Sequence, residues 1–218
     1  MTLEKFYNNI KYIIKVLKYL KMKIVMFNLK GGQGKSSIAL NLALTLDANV
    51  ISNDIMTQIE DVLPEDNFLN IGKNDDFPDI EENIDVIYDL GGWIDERTVK
   101  VIKNADLIII PMINGIMNNK TSLNSIEQVK KFNKNILIIA NKTKKDDFNV
   151  ITTLIAKYFP EDNFPILELK ETTAFEKILE REKSIKDIVS EDKLLRFNYS
   201  RVVEQFNAIL EFIKNYID

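Results

Sequence analysis

Cysteine and histidine are both absent from the 218 residues. A disulfide framework, a thiolate or imidazole metal site, a thiol nucleophile and an imidazole base are therefore all excluded. Long apolar runs are missing too: none approaches the ~20 residues a membrane-spanning helix needs. The N-terminus lacks a small-residue cleavage site behind an apolar core, so no secretory signal is evident. The expectation is a cytoplasmic protein. What is present is the composition of an ordinary globular chain, 45% hydrophobic and 28% charged, long enough for one domain with a large core.

Charge is unevenly spread. The whole chain carries a formal −4, yet residues 1–23 hold six lysines and a single acid, Glu4, for +5. The remainder carries −9. Within this basic segment Leu3, Phe6, Ile10, Ile13, Ile14, Leu17 and Leu20 fall at helical spacing. Three readings stay open: a helix docked on the domain or on a second subunit, a basic amphipathic helix lying on an anionic membrane, and a nucleic-acid contact arm. Residues 1–21 are accordingly read as an N-terminal helical extension, and 22–218 as the main domain.

The most informative stretch is Lys30-Gly31-Gly32-Gln33-Gly34-Lys35-Ser36-Ser37. It follows an apolar run, Ile24–Phe27, and precedes a helix-like run, Ile38–Leu44. Strand, glycine loop and helix together make the setting of a phosphate-binding loop. Glycines let successive backbone N–H groups turn into one hollow, and the helix N-terminus adds partial positive charge. Lys35 is placed to reach the β- and γ-phosphates, and the Ser36 hydroxyl to ligate Mg²⁺.

Downstream, Asn49–Asp54 reads as a short strand ending in an acid. Residues 57–83 read as loops around a short helix, with a short strand at 68–71. Ile84–Asp89 is a strand closing on Asp89, with Leu90-Gly91-Gly92 behind it. That form fits a strand whose carboxylate holds Mg²⁺ and whose following glycine, Gly92, offers its N–H to a γ-phosphate. Ala105–Pro111 and Asn135–Lys142 are continuous apolar runs, as buried parallel strands are. Asn141 closes the second, well placed for a base edge. Helices are expected at 120–132, 147–158 and 198–216, and a last strand at 164–169. The alternation predicts an α/β fold of the P-loop NTPase type: a doubly wound, mostly parallel sheet with an extra N-terminal helix.

The K-G-G-x-G-K-[ST] form of the loop, with Leu29 where a strict motif has glycine, resembles the deviant Walker A motif of the ParA/MinD family of ATPases. The resemblance covers residues 22 to the C-terminus, and the family's usual chain begins near Met22. It implies ATP and ADP with Mg²⁺ as ligands, and an ATP-dependent homodimer in which Lys30 crosses to the partner's phosphates. Asn141 matches an asparagine used for adenine. The family's D-x-D-P-Q run can be laid on this chain in two ways. With Gln58 as the glutamine, Asp54 is the first acid and Met56 stands at the second. Shifted by two, Asp54 is the second acid and Ser52 stands at the first. One carboxylate is missing either way, so hydrolysis is expected to be slow.

For function the resemblance implies an ATPase that binds DNA without reading sequence. Lys183, Lys186, Lys193, Arg196 and Arg201 are the candidate contacts. It would act in plasmid or chromosome partition with a ParB-like centromere-binding protein, placing it on the nucleoid. The alternatives are a MinD-like membrane-associated positioning ATPase anchored through residues 1–21, and a non-hydrolysing ATP-dependent switch.

Overall fold

The computed structural model describes residues 22–54, 57–80 and 84–217. The expected N-terminal helix and Met56 lie outside the described residues. Seven strands form one sheet in the order β3-β2-β4-β1-β5-β6-β7. They are β1 (Lys23–Met26), β2 (Asn49–Ser52), β3 (Phe68–Asn70), β4 (Val86–Asp89), β5 (Leu107–Met112), β6 (Ile136–Thr143) and β7 (Ile166–Lys170). Every pairing is parallel, a stricter outcome than the mostly parallel sheet expected from the sequence.

Seven α-helices cover the sheet among the described residues: α1 (Lys35–Leu46), α2 (Glu96–Lys103), α3 (Ile116–Val129), α4 (Asp147–Tyr158), α5 (Ala174–Arg181), α6 (Ile185–Glu191) and α7 (Lys193–Ile217). Strand alternation sorts the core in two. Ile24, Met26, Ile87, Ile109 and Ile139 pack with α1, α5, α6 and α7. Val25, Phe27, Tyr88, Ile108 and Ile138 pack with α2, α3 and α4. Period-2 side chains that are apolar on both faces are what a parallel sheet covered on both sides demands.

Strand β1 lies at the centre, between β4 and β5. The chain leaves it for β2 on one side and later places β5 on the other. The strand order therefore reverses at the carboxyl end of β1, where ligands of open α/β sheets bind.

Five helices differ from the sequence expectation: α2, α5 and α6 were not expected, and α3 and α7 begin earlier. Helix α3 begins at Ile116 rather than 120, because Gly115 at φ 145 ends the preceding turn. Helix α7 begins at Lys193 rather than 198, since the Asp192 carboxylate accepts from the N–H groups of Leu194 and Leu195. Helix α2 was not foreseen. Its eight residues carry few apolar groups, and its start is fixed by Asp95, whose carboxylate accepts from Thr98 N at 2.8 Å while Thr98 Oγ1 accepts from Asp95 N at 2.8 Å. This reciprocal cap satisfies two helix-end donors at once. Arg97 bonds the same carboxylate at 2.7 Å and the Asp75 carbonyl at 2.6 Å, so the cap also ties down the 72–75 loop. Partial burial raises the Asp95 pKa, but the bonds from Thr98 and Arg97 outweigh it and the net shift is downward.

A lowered folded-state pKa contributes stability above the unfolded value that is lost as pH falls through the folded one. Asp95→Ala is therefore expected to cost about 1 kcal/mol at neutral pH. Urea titrations should show the difference between wild type and variant shrinking as pH drops below ~4.

Candidate functional site

The loop from Phe27 to Gly34 leaves the central strand and enters α1 at Lys35. Gly34 sits at φ 90 as the N-cap of α1. A side chain there would be strained and would run into the Asn141 amide. Glycine is required by both backbone and space.

Three supports hold the loop. Asn28, fully buried, donates to Pro111 O and to Ser122 Oγ, both at 2.8 Å, and accepts from Lys30 N at 2.9 Å. Gln33, also buried, accepts from Ile113 N at 2.9 Å and donates to Asn118 Oδ1 at 3.2 Å. Asn141 donates to Gln33 O at 2.8 Å. Asn141 can do so because β6 breaks register between Asn141 and Thr143, with Lys142 at φ 50. Such a bulge re-aims a side chain. Asn141 was expected to face a base. Here its amide nitrogen is given to the loop, and its oxygen accepts from Lys142 N at 2.9 Å.

Beneath the loop lies the charged centre. Strand alternation puts Asp89 on the α1 side of the sheet, below Lys35 and Ser36. Asp89 has no exposed surface, and neither carboxylate oxygen has a hydrogen-bond partner. Burial pushes its pKa up to about 6. The nearby Ser36 hydroxyl and the Lys35 charge pull it down, the hydroxyl lying close without completing a bond. Lys35 is buried as well, and desolvation lowers its pKa against the opposing pull of Asp89 and Asp54. Asp54, half-buried, is thus within electrostatic reach of both.

The neighbouring turns fit closely. Ser52 Oγ donates to Asp89 O at 3.1 Å and accepts from Asp54 N at 3.0 Å. Asn53 Oδ1 accepts from Gly91 N at 2.6 Å. A Cβ at Gly92 would collide with the Leu29 carbonyl, so only glycine lets this turn lie against the loop. A cleft of about 200 Å³ borders Ser36, Ser37, Thr57 and Gln58. A wider hollow of about 960 Å³ lies between α3 and α4, and its lining holds none of these loop residues.

The structure therefore gathers Lys30, Gly31, Gly32, Gln33, Gly34, Lys35, Ser36, Ser37, Asp54, Asp89, Gly92 and Asn141 at one end of the sheet. Sequence reasoning overlooked Asn28, Ser122, Ser125 and Asn118. Their signal was available as polar residues at 118, 122 and 125 on one helical stripe, where a core-facing stripe is normally apolar.

The residues present fit a magnesium–nucleotide pair. A buried carboxylate without partners beside a hydroxyl suits a hard cation, and left-handed glycines beside a buried lysine suit phosphate. In the ligand-free protein the raised Asp89 pKa opposes folding above pH ~6, and this cost fades as pH falls to the unfolded value near ~4. Asp89→Asn is expected to raise ligand-free stability at pH 7.5 by about 2 kcal/mol, a gain that shrinks at pH 4.5. Thermal melts at both values check the sign.

No family model and no curated protein match the chain. Solved structures do. McdA from Cyanothece in complex with ATP aligns with a TM-score of 0.61 and 15% identity over 89% of this chain and 97% of that one. MinD from Pyrococcus horikoshii OT3 with Mg-ADP aligns with a TM-score of 0.57 and 14% identity, over 85% and 93%. A ParA family ATPase from Chlorobium tepidum TLS gives a TM-score of 0.54 and 18% identity, over 82% and 96%. The chain is built on the fold of the ParA/MinD ATPases.

Proposed function

We propose that the protein is a ParA-like positioning ATPase that binds ATP with Mg²⁺, pairs with a second copy, and hydrolyses the nucleotide slowly. The observation that carries this reading is the unpartnered Asp89 carboxylate beneath a glycine loop, with buried Lys35 beside it. Ser36 and Asp89 would hold the magnesium, which supplies positive charge to the phosphate oxygens when bound. The chain's own groups do the rest. Loop N–H groups and Lys35 bind the phosphates. Lys30 of each copy completes the other's site. Gly92 offers its N–H to the terminal phosphate. Asp54 orients the attacking water, and no protein nucleophile is needed.

Within this reading the dimer holds DNA through phosphate contacts, assisted by a ParB-like partner, in the cytoplasm or on the nucleoid. Of the five basic residues singled out above, two are engaged within the protein. Lys183 pairs with Glu191 at 2.7 Å, and Arg196 donates to the carbonyls of Val189 and Ser190. Lys186, Lys193 and Arg201 are exposed and are the better candidates. The lone Asp54 favours, as a second reading, an ATP-dependent switch that turns over little. A membrane-associated form would depend on residues 1–21.

Size-exclusion with Mg-ATP tests the central step. Wild type is expected to shift to a dimer, and Lys30→Ala to remain monomeric while still binding ATP. A wild type that binds Mg-ATP yet stays monomeric would sink the two-copy mechanism. Filter binding at low salt tests the DNA step: retention should require ATP and fall by about tenfold or more in a Lys186→Ala, Lys193→Ala, Arg201→Ala triple variant. Equal retention without ATP would remove DNA positioning.

A further inference from the structure

Asn28 precedes Lys30 by two residues and has no exposed surface. Its amide orientation is unambiguous, because the Pro111 carbonyl requires a donor and Lys30 N requires an acceptor. Both Nδ2 protons are used, on Pro111 O and Ser122 Oγ. Its oxygen accepts from Lys30 N at 2.9 Å. Next to it Ser125 Oγ accepts from Leu29 N at 3.0 Å. Its single proton goes to Thr121 O at 2.8 Å, with Asn28 Oδ1 the longer alternative at 3.3 Å. The backbone at 29 and 30 is thus pinned from β5 and from the inner face of α3.

The other half of the loop has its own supports, Gln33 on Ile113 and Asn118, and Asn141 on Gln33 O. The two halves are held by different residues. This division separates two tasks: the half around Gln33–Lys35 grips the phosphates of its own nucleotide, and the half around Asn28–Lys30 sets where the first lysine emerges. Lysine has a long, flexible stem, so its anchoring peptide governs where its ammonium can go. A misplacement of about 1 Å at a reacting phosphate can cost about a hundredfold.

We propose that Asn28 is a positioning residue that fixes the Lys30 peptide so that its side chain reaches the nucleotide held by a second copy. The inference rests on the two-copy reading above. It makes Asn28 necessary for pairing and largely dispensable for the first binding of Mg-ATP. The structure also indicates the replacement that should rescue it. Ser52 Oγ already accepts from the N–H two residues on, Asp54 N, at 3.0 Å. A serine at 28 can make the same local turn to Lys30 N, whereas alanine cannot.

The test uses the full chain as wild type, Asn28→Ala, Asn28→Ser, Lys30→Ala, Ser122→Ala and the Asn28→Ala/Lys30→Ala double variant. Calorimetry reads Mg-ATP affinity, and sedimentation velocity reads the ATP-driven dimer. Asn28→Ala is expected to keep affinity within about threefold and to weaken dimerisation about tenfold or more. Asn28→Ser should recover most of that loss, and Ser122→Ala should show a milder version of it. The double variant should dimerise no worse than Lys30→Ala alone, since residues acting through one another are non-additive. The proposal is overturned if the two single losses multiply, if Asn28→Ser is as poor as alanine, or if affinity falls as much as dimerisation. A poorly folded Asn28→Ala leaves Ser122→Ala and Asn28→Ser to decide it. Wild type that does not dimerise with ATP would be a different failure, that of the two-copy reading itself.

Discussion

A carboxylate with no exposed surface and no hydrogen-bond partner is the constraint around which this molecule is arranged. Burying an ionised group without compensation is costly, and proteins respond by shifting its pKa or by supplying a counter-charge. Both responses are present at Asp89. Its pKa stands at about 6, and Lys35, itself desolvated, lies within electrostatic reach. Above pH ~6 the Asp89 carboxylate is an anion held out of water beside the desolvated lysine, with lone pairs left over. Ser52 stabilises the Asp89 backbone and leaves its side chain alone. A hard cation at those oxygens and a polyanion at the lysine would remove the penalty from both groups at once.

Such a site works only if the loop above it keeps its shape when empty. A glycine-rich loop has much conformational entropy to lose on binding. The fold reduces that loss by bracing the loop from α3, from the end of β5 and from β6. Gln33 is held by Asn118 of α3 and by Ile113 just past β5, and Asn141 from β6 lies against Gly34, while Asn28 separately sets the loop's start at Lys30. Gly92 closes the fourth side by lying on the Leu29 carbonyl. Each buried bond nets about 1 kcal/mol, and leaving one partner unpaired costs about 1–3 kcal/mol. A network of this kind therefore specifies a single loop shape more strongly than it stabilises the domain.

The parts of this that a reader of the sequence can find are those with local causes. Glycine spacing, the Lys35-Ser36 pair and the apolar runs closing on Asp54, Asp89 and Asn141 all report on residues near one another in the chain. They were enough for the fold and for placing the loop and the acids at one end of the sheet. The supports were hidden because they join residues far apart: 94 positions separate Asn28 from Ser122, and 108 separate Asn141 from Gln33. An asparagine at a strand's end looks the same whether it meets a base or braces a loop. Only the bulge at Lys142 turns Asn141 toward Gln33, and no residue pattern announces that bulge. Helix α2 escaped for another reason. Its start is a side-chain cap on eight mostly polar residues, and its hydrophobic periodicity is too short to stand out.

In the proposed reading the same geometry would separate binding from turnover. Binding would rest on the loop, Lys35, Ser36 and Asp89, which the fold gathers at one end of the sheet. In the same reading turnover would need an oriented water, and the acid assigned to it is Asp54, half-buried and with its N–H on Ser52. If Asp54 is taken as the second acid of the resembled two-acid run, Ser52 stands at the first. Its hydroxyl is already committed at both its donor and its acceptor. A committed neutral hydroxyl can fix a turn, but it supplies neither negative charge nor a base. The fold by itself does not choose between a fast enzyme and a slow timer. In the reading proposed above, the count and placement of carboxylates would decide it, and a single half-buried acid beside the loop would favour slow turnover.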